Sequence, residues 1–119
     1  MSSKYGEQFD KALRLLRDKL PISVPVVVRT KVNLVCDDTG EDLFGQCMAH
    51  FNTRKRITRF VIDIVRGLEV EIAIDTLLHE WAHAVDMTEN GHADDEDAHR
   101  DSWGAAYAKV WRVFTDEDK

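Results

Sequence analysis

Hydrophobic positions along the chain fall into runs with two different periods. In EQFDKALRLLRDKL (7–20), Phe9, Leu13, Leu16 and Leu20 recur at helical spacing and Pro21 stops the run, which predicts an amphipathic helix. VPVVVRTKVNLV (24–35) is rich in β-branched residues, with Val26, Val28 and Val32 or Leu34 on one side, and predicts a strand. Asp37-Asp38-Thr39-Gly40 is a turn signal. Beyond it, LFGQCMAHFN (43–52) sets Phe44, Gln46, Met48 and His50 against Gly45, Cys47, Ala49 and Phe51, a second strand. RFVIDIV (59–65) alternates Phe60, Ile62 and Ile64 with Val61, Asp63 and Val65, a third. Short connections make a three-stranded, mainly antiparallel meander the economical arrangement.

The period then changes. From about Glu69 to Met87, Val70, Ala73, Ile74, Leu77, Leu78, Trp81, Ala84 and Val85 share one broad helical face. His79 and His83 fall nearly opposite its centre, with Glu80 on the flank between them, so both imidazoles project together about one turn apart. Asn90-Gly91 ends the helix. A last helix, from about Asp97 to Phe114, carries His99, Trp103, Ala106, Val110 and Val113 on one stripe that packs most simply on the preceding helix. The order α-β-β-β-α-α predicts an α+β fold, and residues 1–119 read as one domain, with no repeat, linker or low-complexity tract.

Composition narrows the setting. With 44% hydrophobic and 32% charged residues and two prolines, the chain has globular rather than disordered character. No apolar run approaches the roughly 18 residues that span a bilayer, and the charged N-terminus has no apolar h-region, so an intracellular, cytoplasmic protein with no membrane partner is expected. The net charge of −6 opposes non-specific attraction to DNA. Arg54, Lys55, Arg56 and Arg59 form the one basic cluster, read as a solvated turn between strands. Cys36 and Cys47 form no CxxC and read as thiols rather than a bridge or a structural zinc site.

Metal chemistry therefore falls to histidine. His79-Glu80-Trp81-Ala82-His83 is an HExxH sequence, which a shuffled chain of this composition would contain about 0.01 times. Two imidazoles at i and i+4 converge without any loop having to order, and a catalytic zinc takes three protein ligands and a water. Glu80 is the candidate general base for that zinc-bound water, whose pKa the metal lowers. A third ligand must come from downstream. His99 ranks first because its helix stripe points it back at His79 and His83, and because a helix N-terminus keeps imidazole neutral. His92 ranks second, and Glu89 and Glu96 follow. Asp75 and Asp86 are candidate partners for the imidazole N–H groups, and Tyr107 and Arg100 candidate oxyanion donors. Trp81, Trp103 and His50 read as packing residues.

DTLLHEWAHAVD followed by EDAHRDSWGAAYAKVWR resembles the SprT-like zinc metallopeptidases, which are related to the Spartan proteases that act on DNA–protein crosslinks. The resemblance covers roughly residues 7–114, with the leader RFVIDIVRGLEVEIAIDTLLHE similar as well, and matches His79, Glu80, His83, His99 and Trp103 to the family pattern. Arg100 stands where the family often has glycine, and no zinc-ribbon CxxC is present. The resemblance implies a zincin-like fold and a zinc-dependent endopeptidase acting on protein or peptide substrates, with DNA as a family partner that the net charge disfavours. A non-catalytic zinc-binding regulatory module of the same fold is the alternative, which an intact Glu80 disfavours.

Overall fold

Every element that the hydrophobic spacing predicts is found, in the predicted order. A computed structural model of the chain describes residues 6–36, 39–90 and 101–117. It runs α1 (Glu7–Lys19), β1 (Val26–Lys31), β2 (Gly45–Phe51), β3 (Ile57–Val65), α2 (Val70–Asn90) and α3 (Asp101–Glu117). The result is a small α+β fold of three helices and a three-stranded mixed sheet.

The sheet corrects the expected meander. Its order is β1-β3-β2, with β3 parallel to β1 and antiparallel to β2. Strands β2 and β3 form a hairpin, while β1 and β2 do not pair with each other. Residues 32–44 instead carry the chain past the C-terminal end of β3 to the opposite edge, because Lys31 pairs with Val65 and Gly45 with Ile64. The physical reason lies in β3. It is buried at five consecutive positions, Phe60 to Ile64, the pattern of a central strand covered on both faces. Strands β1 and β2 carry polar or exposed residues at intervals and tolerate an edge. Val32, expected as a strand position, lies outside β1 and is exposed.

Asp63 is the polar exception in the middle of β3. It is buried, and its register partners on either side roof it: Arg29 of β1 donates to both carboxylate oxygens at 2.9 and 3.2 Å, and Gln46 of β2 donates at 3.4 Å. A buried carboxylate held by a bidentate guanidinium satisfies its oxygens without water.

Phe60, Ile62 and Ile64 join α2 in a core with Phe9, Ala12 and Leu16 of α1 and Ala106 and Val110 of α3. Trp81 anchors α1 to this core. It is 1% exposed, and its indole N–H donates to the Leu20 carbonyl at 3.1 Å, just past the end of α1. Arg17 reinforces the corner by donating to the Val26 carbonyl at 3.0 Å. Gly67, with φ of 84°, makes the tight turn from β3 into α2, a conformation that side chains with a Cβ disfavour. No helix among the described residues is long and apolar enough to cross a membrane.

Candidate metal centre

Helix α2 is enclosed by protein over most of its middle. From Thr76 to Met87 every residue is buried except His79 and His83, which are half-buried. The helix wheel places Glu80 on the flank between the two histidines, and in the structure that flank is covered: Glu80 is 7% exposed and Asp86 5%. Strand β2 closes over that flank, with Gly45 set against Thr76 and Glu80. The two histidines are thus the opening in an otherwise covered stretch of helix.

Their geometry is convergent. His79 Nε2 and His83 Nε2 lie 3.2 Å apart, and the ring centroids 4.9 Å apart. Two nitrogens bound to one tetrahedral zinc at its usual bond length are separated by about 3.3 Å, so the pair already has the spacing a metal requires. The same spacing suits an N–H···N contact when one ring carries its proton on Nε2, and a metal replaces that proton by drawing both lone pairs to one point. Glu80 Oε2 stands 4.0 Å from His79 Nε2, beyond direct hydrogen-bond reach and close enough for one intervening water. Ligand atoms of His79, Glu80 and His83 all lie within 4.8 Å of one another. The donor set fits a divalent ion with an affinity for imidazole, as zinc has.

Helix α3 supplies the wall. Trp103 stacks on His83 with ring centroids 5.3 Å apart and lies 4.9 Å from the His79 ring. Tyr107 stacks on Trp103 at 4.9 Å and meets His79 edge-on at 5.9 Å. Trp103 packs against the edge of the core, as its spacing predicts, but unlike the enclosed Trp81 it is half-buried and also covers both imidazoles. Tyr107 donates its hydroxyl to Asp75 at 3.0 Å, joining α2 and α3 one turn before His79. Burial pushes the Tyr107 phenol above its ordinary value, and the Asp75 carboxylate adds to the shift while Trp111 opposes it. So the two residues expected to serve an imidazole N–H and an oxyanion bond to each other.

Of the predicted ligands, His79 and His83 are brought together with Glu80. Glu89 is not; it lies on the exposed end of α2, where Lys109 donates to its carboxylate at 3.0 and 3.3 Å. His92, Glu96, His99 and Arg100 lie outside the described residues. His50 sits in β2 opposite Arg59, as a packing residue of the sheet. The close approach of Gly45 was not foreseen. The sequence signal is a glycine opening a strand on the same face as Cys47 and Ala49, which also fits an ordinary turn.

Comparison of the chain with protein-family models, with curated proteins and with solved structures finds no match.

Proposed function

We propose that the protein is a zinc-dependent endopeptidase of the SprT-like type, with His79, His83 and His99 as metal ligands and Glu80 as general base. The observation that carries this reading is the convergence of His79, Glu80 and His83 within 4.8 Å at the one opening in the buried stretch of α2. Zinc held there would supply Lewis acidity, polarising a peptide carbonyl and lowering the pKa of a coordinated water.

The residues of the chain have separate tasks. His79 and His83 bind from adjacent turns of a helix whose other sides are packed, so they need no ordering on metal binding. Glu80 accepts a proton from the attacking water and returns it to the leaving amine, and its burial keeps it from swinging into solvent between the two steps. Trp103 limits ring rotation and keeps bulk water from one side of the pair. His99 stands two positions before Asp101, the first residue of α3, and completes the ligand set in this reading. The substrate class is an unfolded or extended polypeptide.

The test is hydrolysis of an unfolded protein by freshly purified material, with and without a chelator. Cleavage that a chelator stops and stoichiometric zinc restores is expected. A zinc-loaded protein that cleaves no unfolded polypeptide, with or without DNA, would move the reading to a non-catalytic zinc-binding module.

A further inference from the structure

Strand β2 enters the sheet at Gly45, directly against α2. A Cβ at that position would lie 2.5 Å from Thr76 Cγ2, 3.0 Å from the Asp63 carbonyl oxygen and 3.5 Å from Glu80 Cγ. Carbon atoms that are not bonded do not approach to 2.5 Å, so β2 and α2 reach this separation only because residue 45 has no side chain. The neighbours have little freedom to yield. Thr76 is buried, and its hydroxyl donates to the Ile72 carbonyl at 2.7 Å, which fixes the methyl on the β2 side. The Asp63 oxygen belongs to the backbone of the central strand.

We propose that Gly45 is a positioning residue for Glu80: its missing side chain lets β2 press on α2 and holds the Glu80 side chain beside His79 and His83. The proposal rests on the hydrolytic reading above and adds to it a residue outside the motif helix. Thr76 and Glu80 lie one turn apart on the same side of α2, so what displaces the Thr76 turn also displaces Glu80. An added methyl clashes with Thr76 and pushes that turn off the sheet, and Glu80 moves with it, while the methyl's own approach to the Glu80 stem is an ordinary contact. The imidazoles face Trp103 and Tyr107 of α3 instead, so metal binding is spared.

The experiment uses the full chain as Gly45→Ala, Thr76→Ser and the double variant. Thr76→Ser deletes the methyl that the new Cβ strikes and keeps the hydroxyl that bonds Ile72. Zinc content, thermal midpoint, kcat and KM on an unfolded protein substrate are measured for each. Gly45→Ala is expected to keep its zinc and a KM within about twofold, and to lose at least about tenfold in kcat, the scale of a displaced catalytic group. The double variant recovers part of both kcat and thermal midpoint, since the Thr76 clash is gone and the tight approach to the Asp63 carbonyl oxygen remains.

An unchanged kcat in Gly45→Ala, a kcat that falls only in step with zinc, or no recovery in the double variant overturns the proposal. If Gly45→Ala does not fold, the double variant decides. A zinc-loaded double variant several-fold slower than wild type supports the proposal, and one as fast as wild type overturns it. A wild-type protein that cleaves nothing overturns the hydrolytic reading and this assignment with it. A wild type that cleaves, beside an equally active Gly45→Ala, overturns this assignment alone.

Discussion

Trp81 and His83 stand two positions apart in the same helix and have opposite surroundings. The Trp81 indole fills the core and is tied to Leu20, so Trp81→Ala is expected to cost about 3–5 kcal/mol in urea unfolding, the range for removing a buried aromatic. A loss under about 1 kcal/mol would show that the corner between α1 and α2 does not depend on it. His79→Ala and His83→Ala are expected to cost the metal-free protein far less than Trp81→Ala, because both rings are only half-buried. Each should lose most of the bound zinc by elemental analysis. Full zinc in either variant would remove that histidine from the site. The helix period in the sequence already separates Trp81 from the two histidines. It does not show that Glu80 is buried, because Gly45, where β2 comes against it, is remote in the chain and a glycine opening a strand also fits an ordinary turn.

Among the elements, β3 and the α2–α3 pair carry most of the design. The strands themselves are readable from alternation, yet the order β1-β3-β2 is not, since alternation describes faces and says nothing about neighbours. The clue was the apolar continuity of Phe60 to Ile64, broken only by Asp63, which marks a central strand. The joint between α2 and α3 includes the Tyr107–Asp75 bond. Burial and the Asp75 carboxylate both favour the neutral phenol, so its folded value lies above the unfolded one of 10.0. The stabilisation is then whole below about pH 10 and is lost as pH rises through the folded value. In metal-free protein, phenolate absorbance of wild type minus Tyr107→Phe should titrate at higher pH than free tyrosine. A midpoint at or below that of free tyrosine would contradict the packing described for α3.

For the whole molecule, charge sets the expected partners. The chain carries −6, while Arg54, Lys55, Arg56 and Arg59 stand exposed on and beside the β2–β3 hairpin. Four cations release few counterions, so DNA binding is expected to be weak at low salt, absent at physiological salt, and removed by replacing the four with alanine. Tight binding at physiological salt would contradict this balance. The fold around His79, Glu80 and His83 was legible because local period and burial act within one helix. His99, the candidate third ligand, lies outside the described residues, and local period does not encode where the segment after Asn90 is placed.

The central claim is that Glu80 works on water beside a metal that His79 and His83 hold, and Glu80→Gln tests it most directly. Glutamine keeps the shape of the side chain and cannot accept the proton. Zinc content and thermal midpoint are predicted to match wild type, while hydrolysis of unfolded protein falls by roughly two to four orders of magnitude, the usual scale for a general base. Loss of zinc along with activity, or hydrolysis at the wild-type rate, would contradict the account.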